Sequence, residues 1–370
     1  MEQSNGRDAD FQLAAELAAK ILHGNAKVDE SERSKVLDVL EEFECWDPYF
    51  QILGTRLQNQ SKRTLNDYLR VAKTQYIYLD DVFATAETCA RMVSELGIEY
   101  ESFIEEVFPV LFEQEDYPAE ATIVQAVADK FREKNDQISA MERLCLLFEK
   151  KTFNEIQLNE SYTKLLDLDP LNIKALRYFK LLFTQSYEWE KVASILSSLI
   201  TASKHARDIY RVAQELAAVS LYQLDQPKAA LEIMAEHGEG SPLDSSTINF
   251  DAYKRLNDWE GCLRVLRECL LNVSQDDQRA TLCFRIASIL EKLDRKEEAT
   301  ESYETAIHMA PDFFEAYEGI ISILLQSKQW PRLSSTLKTA IKNCTDESAR
   351  SVLREVQDRL EEGIQHVQGR

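Results

Sequence analysis

Apolar residues recur every three or four positions along most of this chain, the spacing that gathers them on one face of an α-helix. Leu13, Leu17 and Ile21 stand four apart, and Val36, Leu40 and Phe43 follow at four and three. YLRVAKTQYIYL and VFATAETCARMVSEL read as one helix pair, and FIEEVFPVLFEQ with PAEATIVQAVADKF as the next. Pro109 falls inside that stretch; lacking an N–H, it should kink its helix or end it early. The last segment, DESARSVLREVQDRLEEGIQHV, is charged and amphipathic, with Leu353, Val356, Leu360 and Ile364 on one stripe.

Beyond about residue 139 the helical pattern itself repeats. The clearest unit is RATLCFRIASILEKLDRKEEATESYETAIHMAPD, residues 279–312. Its first helix places Ile286, Ala287 and Leu290 on one face, Leu293 and Asp294 make a short turn, and a second helix carries Ala299, Tyr303 and Ala306 before Pro311. Small Ala287 and Ala299 let two antiparallel helices approach, Tyr303 fills the gap behind them, and Pro311 stops the second helix. Downstream, Tyr317, Ile320, Leu324, Leu337 and Ala340 occupy equivalent places. Upstream come Ala218, Leu221, Ala230 and Met234, then Leu176, Phe183, Val192, Leu196 and Leu199, then Tyr162, Leu165 and Pro170. Residues 243–276 follow more loosely through Tyr253, Cys262, Leu266 and Cys269.

This order of small, aromatic, small and proline resembles the tetratricopeptide repeat family, over about residues 139–347. The resemblance implies an all-α, right-handed superhelical solenoid of antiparallel helix pairs. Residues 1–138 are expected to be divergent acidic hairpins continuing it, or a separate helical domain. Residues 348–370 are expected to cap the apolar side of the last repeat; their nearly heptad stripe also suits a dimerisation helix. In that family the first helix of each repeat lines the concave groove. Carried over position by position, groove residues are Lys174, Arg177, Glu215, Tyr222, Lys254, Arg255, Phe284 and Lys292. Such a moderately basic groove suits an acidic or carboxylate-bearing peptide. The spacing of the lysine–asparagine and lysine–arginine clamp of the family's chaperone-tail binders is not reproduced.

Composition agrees with helices. Only 10 Gly and 8 Pro occur in 370 residues, fewer than sheet-rich folds use in their turns. The net charge of −21 disfavours nucleic acid and anionic membranes as partners. That charge is uneven: residues 1–138 hold 28 acidic and 14 basic residues. Between Met92 and Asp129 there is no Lys or Arg, while Glu95, Glu99, Glu101, Glu105, Glu106, Glu113, Glu115, Asp116, Glu120 and Asp129 are present. From Asn172 to Arg211, seven Lys and Arg face Glu188, Glu190 and Asp208. The acidic stretch is a candidate docking surface for a basic protein.

Candidate chemistry is sparse. Seven cysteines without pattern lie in apolar helices, as reduced core residues of a cytoplasmic protein do. No basic-then-apolar leader opens the sequence, and no run reaches the ~18 apolar residues that span a bilayer. The five histidines are scattered, so no metal is expected. The segment GEGSP, residues 238–242, is the only glycine-rich spot and reads as an inter-repeat loop; no nucleotide or other cofactor is expected. The sequence therefore leads to a non-catalytic cytoplasmic adaptor. Alternatives are a regulatory protein docking a basic signalling partner on its acidic region, and a helical-repeat RNA-processing factor.

Overall fold

The computed structural model describes residues 12–13, 15–21, 29–58, 63–112, 115–237 and 242–368, without the side chains of 30, 242–245 and 363–368. Readings that fall on His23, on the glycines of GEGSP, on Glu113, and on the side chains of Ile364 and His366 lie outside them. Every regular element among the described residues is helical. The chain divides into two compact units, Met1–Ala175 and Leu176–Arg370.

The first unit contains α1 (Glu30–Glu42), α2 (Trp46–Gln58), α3 (Leu65–Lys73), α4 (Val82–Leu96), α5 (Tyr100–Ser102), α6 (Phe108–Leu111), α7 (Tyr117–Val127), α8 (Lys134–Leu147) and α9 (Glu155–Leu168). Helix starts are locally encoded. Asp29, Thr64, Asp81, Asp116 and Asn154 each accept a hydrogen bond from a first-turn backbone N–H, and Asp29 and Thr64 complete capping boxes with Glu32 and Asp67. Helix continuations are less regular. Among the described residues three π-helical segments occur, Thr74–Tyr78 after α3, Phe103–Val107 between α5 and α6, and Phe148–Thr152 after α8. Pro109 is the second residue of α6, directly after one of them, and that helix ends two residues later at Leu111. Helix α7, expected beside the Phe103–Phe112 stretch, packs on α4, while α6 approaches α3. Tyr49, Tyr68, Phe103 and Phe131 are fully buried, and the buried Arg56–Asp67 pair (2.8 Å) ties α2 to α3.

Helix α10 (Ile173–Gln185) begins at the unit boundary. The second unit continues with α11 (Trp189–Ala202), α12 (Ala206–Tyr222), α13 (Pro227–His237), α14 (Pro242–Arg255), α15 (Trp259–Asn272), α16 (Asp276–Lys292), α17 (Lys296–Met309), α18 (Phe314–Gln326), α19 (Trp330–Asn343) and α20 (Glu347–Gln368). From α11 onward each helix packs on the next, and α12 touches α14 as α16 touches α18. This contact order is that of a helical-repeat solenoid: successive helices meet along the chain, and at two places a first helix also meets the next first helix.

One turn recurs between paired helices. Tyr187, Asp225, Asn257, Asp294 and Lys328 all adopt left-handed backbone, φ 53° to 59°. After four of them the next N–H returns to the carbonyl five residues back, as in Arg295 to Leu290 (2.9 Å) and Gln329 to Leu324 (3.0 Å). After Asp225 the bond reaches six back, Gln226 to Ser220 (2.8 Å), and the register of α12 moves by one residue. Ala217, not the expected Ala218, is accordingly the fully buried alanine there, while Leu221, Ala230 and Met234 are buried as expected.

The expected core of 279–312 is buried throughout: Ile286, Ala287, Leu290, Ala299, Tyr303 and Ala306. The Tyr303 ring lies over Gly319 of α18 and its hydroxyl donates to Glu291 (2.5 Å). On α20, Leu353 is buried, and Val356 and Leu360 pack against the same core cluster.

Candidate functional site

Within the second unit, α14, α15 and α16 enclose a cleft of about 490 Å³. Helix α14 contributes Phe250, Asp251 and Lys254, and α16 contributes Arg285, Ser288, Ile289 and Lys292. Spacings of three and four residues put each set on one helix face. Val265, Leu266 and Cys269 of α15, all buried, give the cleft an apolar floor. Trp259 opens α15 just after Asp258, which caps the helix by accepting from the Gly261 N–H (2.9 Å). The Lys292 ammonium lies 3.9 Å from the Trp259 ring centroid, a cation–π contact.

Lys254, Arg285 and Lys292 have exposed side chains on this cleft and make no ion pair among the described residues. Asp251, the carboxylate among the described lining residues, already accepts a hydrogen bond from the Tyr222 hydroxyl (2.7 Å). Burial and the Asp251 carboxylate push the Tyr222 phenol up to about 12, so it remains a neutral donor at physiological pH. The arrangement offers three cationic donors over an apolar floor with an indole at one end. Chemically it can bind an anionic group attached to an apolar one.

The expected groove residues are only partly brought together. Lys254 and Lys292 meet in the cleft. Tyr222 reaches it only through Asp251. Arg255 turns away, donating to the Leu221 carbonyl (2.7 Å) and Asp225 (2.6 Å) while its guanidinium lies 5.7 Å from the Tyr222 ring centroid. Phe284 is half-buried packing, its ring 5.7 Å from Tyr303 and 5.2 Å from Phe313, and does not line the cleft. Glu215 is bound twice by Lys180 (2.8 and 3.0 Å). Lys174 belongs to the first unit, where it pairs with Glu142 (2.6 Å), and Arg177 is exposed on α10. Sequence reasoning missed Arg285, Trp259 and Asp251. Arg285 had a usable signal, standing two helical turns before Lys292 on one face.

The acidic stretch is also divided. Glu95 is engaged by Arg63, Tyr68 and Arg91; Glu120 is buried against Arg143 (2.5 Å); Asp116 caps α7 and accepts from Tyr76 (2.7 Å). Glu99, Glu101, Glu105 and Glu106 remain exposed. Among the described residues no three His, Cys, Asp or Glu group as metal ligands, and no helix is long and apolar enough to cross a membrane. All seven thiols are free, and burial pushes Cys89 and Cys145 up to about 12.

Residues 280–313, which cover most of α16, its turn, α17 and the loop that follows, match the family model described as "Tetratricopeptide repeat". The chain carries a tetratricopeptide repeat. That repeat supplies the α16 wall of the cleft, including Arg285 and Lys292. A comparison with curated proteins gave no match. Among solved structures the chain is similar to the TPR2AB domain of yeast Sti1 in its complex with pHSP90, at 15% identity over 80% of this chain and 96% of that one, TM-score 0.27. It is similar to the APC/C hetero-tetramer Cut9–Hcn1 at 14% identity over 89% and 73%, TM-score 0.29. Yeast Tom70 matches at 12% identity over 98% and 74%, TM-score 0.32.

Proposed function

We propose that this protein is a non-catalytic adaptor that holds an acidic peptide segment of a partner protein in the α14–α16 cleft. One observation carries this reading: Lys254, Arg285 and Lys292, which make no ion pair among the described residues, line one cleft over an apolar floor ending in Trp259. Cations left unpaired around an apolar surface favour a ligand carrying both carboxylates and an apolar side chain. In this reading residues 139–347 hold the peptide, residues 1–138 form an acidic docking region, and 348–370 cap the repeats. A reducing cytoplasm is the compartment that suits seven free thiols.

The test is fluorescence anisotropy with a labelled dodecapeptide of Asp and Glu containing one Leu and one Phe. The double variant Lys254→Glu/Lys292→Glu should weaken binding about tenfold or more, since both changes remove a donor and add repulsion. Equal affinity of the variant and the natural chain would sink the cleft assignment.

A further inference from the structure

The first unit carries a second surface whose chemistry is opposite to that of the cleft. Four large apolar side chains are exposed within seven consecutive residues: Ile77 (41%), Tyr78 (44%), Leu79 (44%) and Phe83 (81%). Single exposed apolar residues are ordinary, whereas a contiguous group marks an interaction surface. The backbone explains the grouping. Three consecutive residues of an α-helix sweep about 200° around its axis, so one would normally face the core. Here α3 runs into the π segment Thr74–Tyr78, closed by Leu79 N–H to Thr74 O (3.2 Å) and Asp81 N–H to Gln75 O (2.9 Å). This widened turn leaves Ile77, Tyr78 and Leu79 all exposed; such segments are frequent at functional sites. Trp46, at the start of α2, extends the surface, its ring centroid 4.9 Å from that of Tyr78.

The surround is anionic. Glu44, Asp47, Asp80, Asp81 and Glu87 are exposed on the same turns or the helix starts beside them. No Lys or Arg occurs from Val36 to Thr55 or from Thr74 to Ala90. Arg70, one helical turn before the π segment, is already held by Asp38 (2.7 Å). We infer that Trp46, Tyr78, Leu79 and Phe83 form a docking patch for a basic amphipathic segment of a partner protein. Its apolar side chains would cover the aromatic rings, and its Lys or Arg would meet the surrounding carboxylates. The inference does not rest on the cleft of the second unit.

The experiment uses the full chain and a fluorescein-labelled 18-residue amphipathic peptide of Leu and Lys. Tyr78→Ser/Phe83→Ser, two exposed positions, should weaken anisotropy-detected binding about tenfold, the loss expected from removing two aromatic anchors. Leu271→Ser, an exposed residue (85%) of the second unit, should leave binding unchanged. A peptide with Glu in place of every Lys should bind at least tenfold more weakly, and raising salt from ~50 to ~500 mM should weaken the Lys peptide. Circular dichroism of the double variant checks that it folds; should it not, Phe83→Ser alone gives the same reading. Undiminished binding by the patch variant, equal loss in Leu271→Ser, or equal affinity for the Glu peptide overturns the proposal. So does self-association of the natural chain in sedimentation that Phe83→Ser abolishes, because the patch would then be a contact between copies.

Discussion

At position 319 a missing side chain sets how closely two repeats meet. A Cβ there would stand 2.4 Å from the Tyr303 ring, well inside van der Waals contact, and the ring is buried with its hydroxyl on Glu291. Gly319→Ala should therefore cost about 1–3 kcal/mol, the usual range for overpacking. The measurement is a urea titration: the midpoint should fall with an unchanged slope. Adding Tyr303→Leu to Gly319→Ala should cost less than the two single effects combined, because the clash then has no ring to involve. An unchanged midpoint in Gly319→Ala would mean the Tyr303 ring can shift freely. The tyrosine was legible in the sequence as a gap filler. The glycine beneath it was not, because it belongs to the following repeat and the contact depends on how two pairs stack.

Elements in this chain are joined by left-handed turn residues, and the residue types there are uneven. Asp225, Asn257 and Asp294 tolerate that backbone through short polar side chains. Phe153, after the third π segment, adopts φ 51° with its side chain 79% exposed, so packing does little to offset the strain. Phe153→Gly should raise stability by about 0.5–1 kcal/mol, visible as a thermal midpoint higher by a few degrees. A lower midpoint would show that the ring is held by something of greater value than the strain. Helix starts were encoded locally, since caps such as Thr64 and Asp116 act on their own first turn. The π segments were not, because a widened helical turn keeps the same apolar period on either side of it. Nor was the pairing of α7 with α4, which is a choice among neighbouring helices rather than a property of either one.

Across the whole molecule the dominant property is its net charge of −21, yet its acidic residues do different things. In the first unit, a hydrogen bond from Tyr68, helped by Arg63 and Arg91, holds the Glu95 carboxyl below its ordinary range. For Glu142, burial pushes upward but hydrogen bonds from Lys174 and Asn172 outweigh it, and the net direction is also down. A depressed folded-state pKa gives stability that is complete above the unfolded value, about 4.3 for Glu, and lost as pH falls through the folded value. Urea midpoints measured from pH 7 to pH 3 should fall on the acid side, and Glu95→Gln should make that fall shallower. Parallel curves for the two proteins would remove Glu95 from the acid-labile set.

Local and periodic features of this protein are written in its amino-acid order. Apolar residues every three or four positions specify helices, and Ala287, Ala299, Tyr303 and Pro311 specify a close antiparallel pair with a stop, because each acts within a few turns of its own chain. Which side chains converge depends instead on how the helices pack. Lys254 and Lys292 come from different repeats, Arg285 joins them, and Phe284, next to Arg285, points into packing instead. One residue of register rotates a side chain by about 100° around its helix, enough to move it from groove to core. The extra residue in the turn after α12 made that difference for Ala217 and Ala218. Turn length and helix packing set such rotations, and both are settled by neighbours that local spacing does not identify.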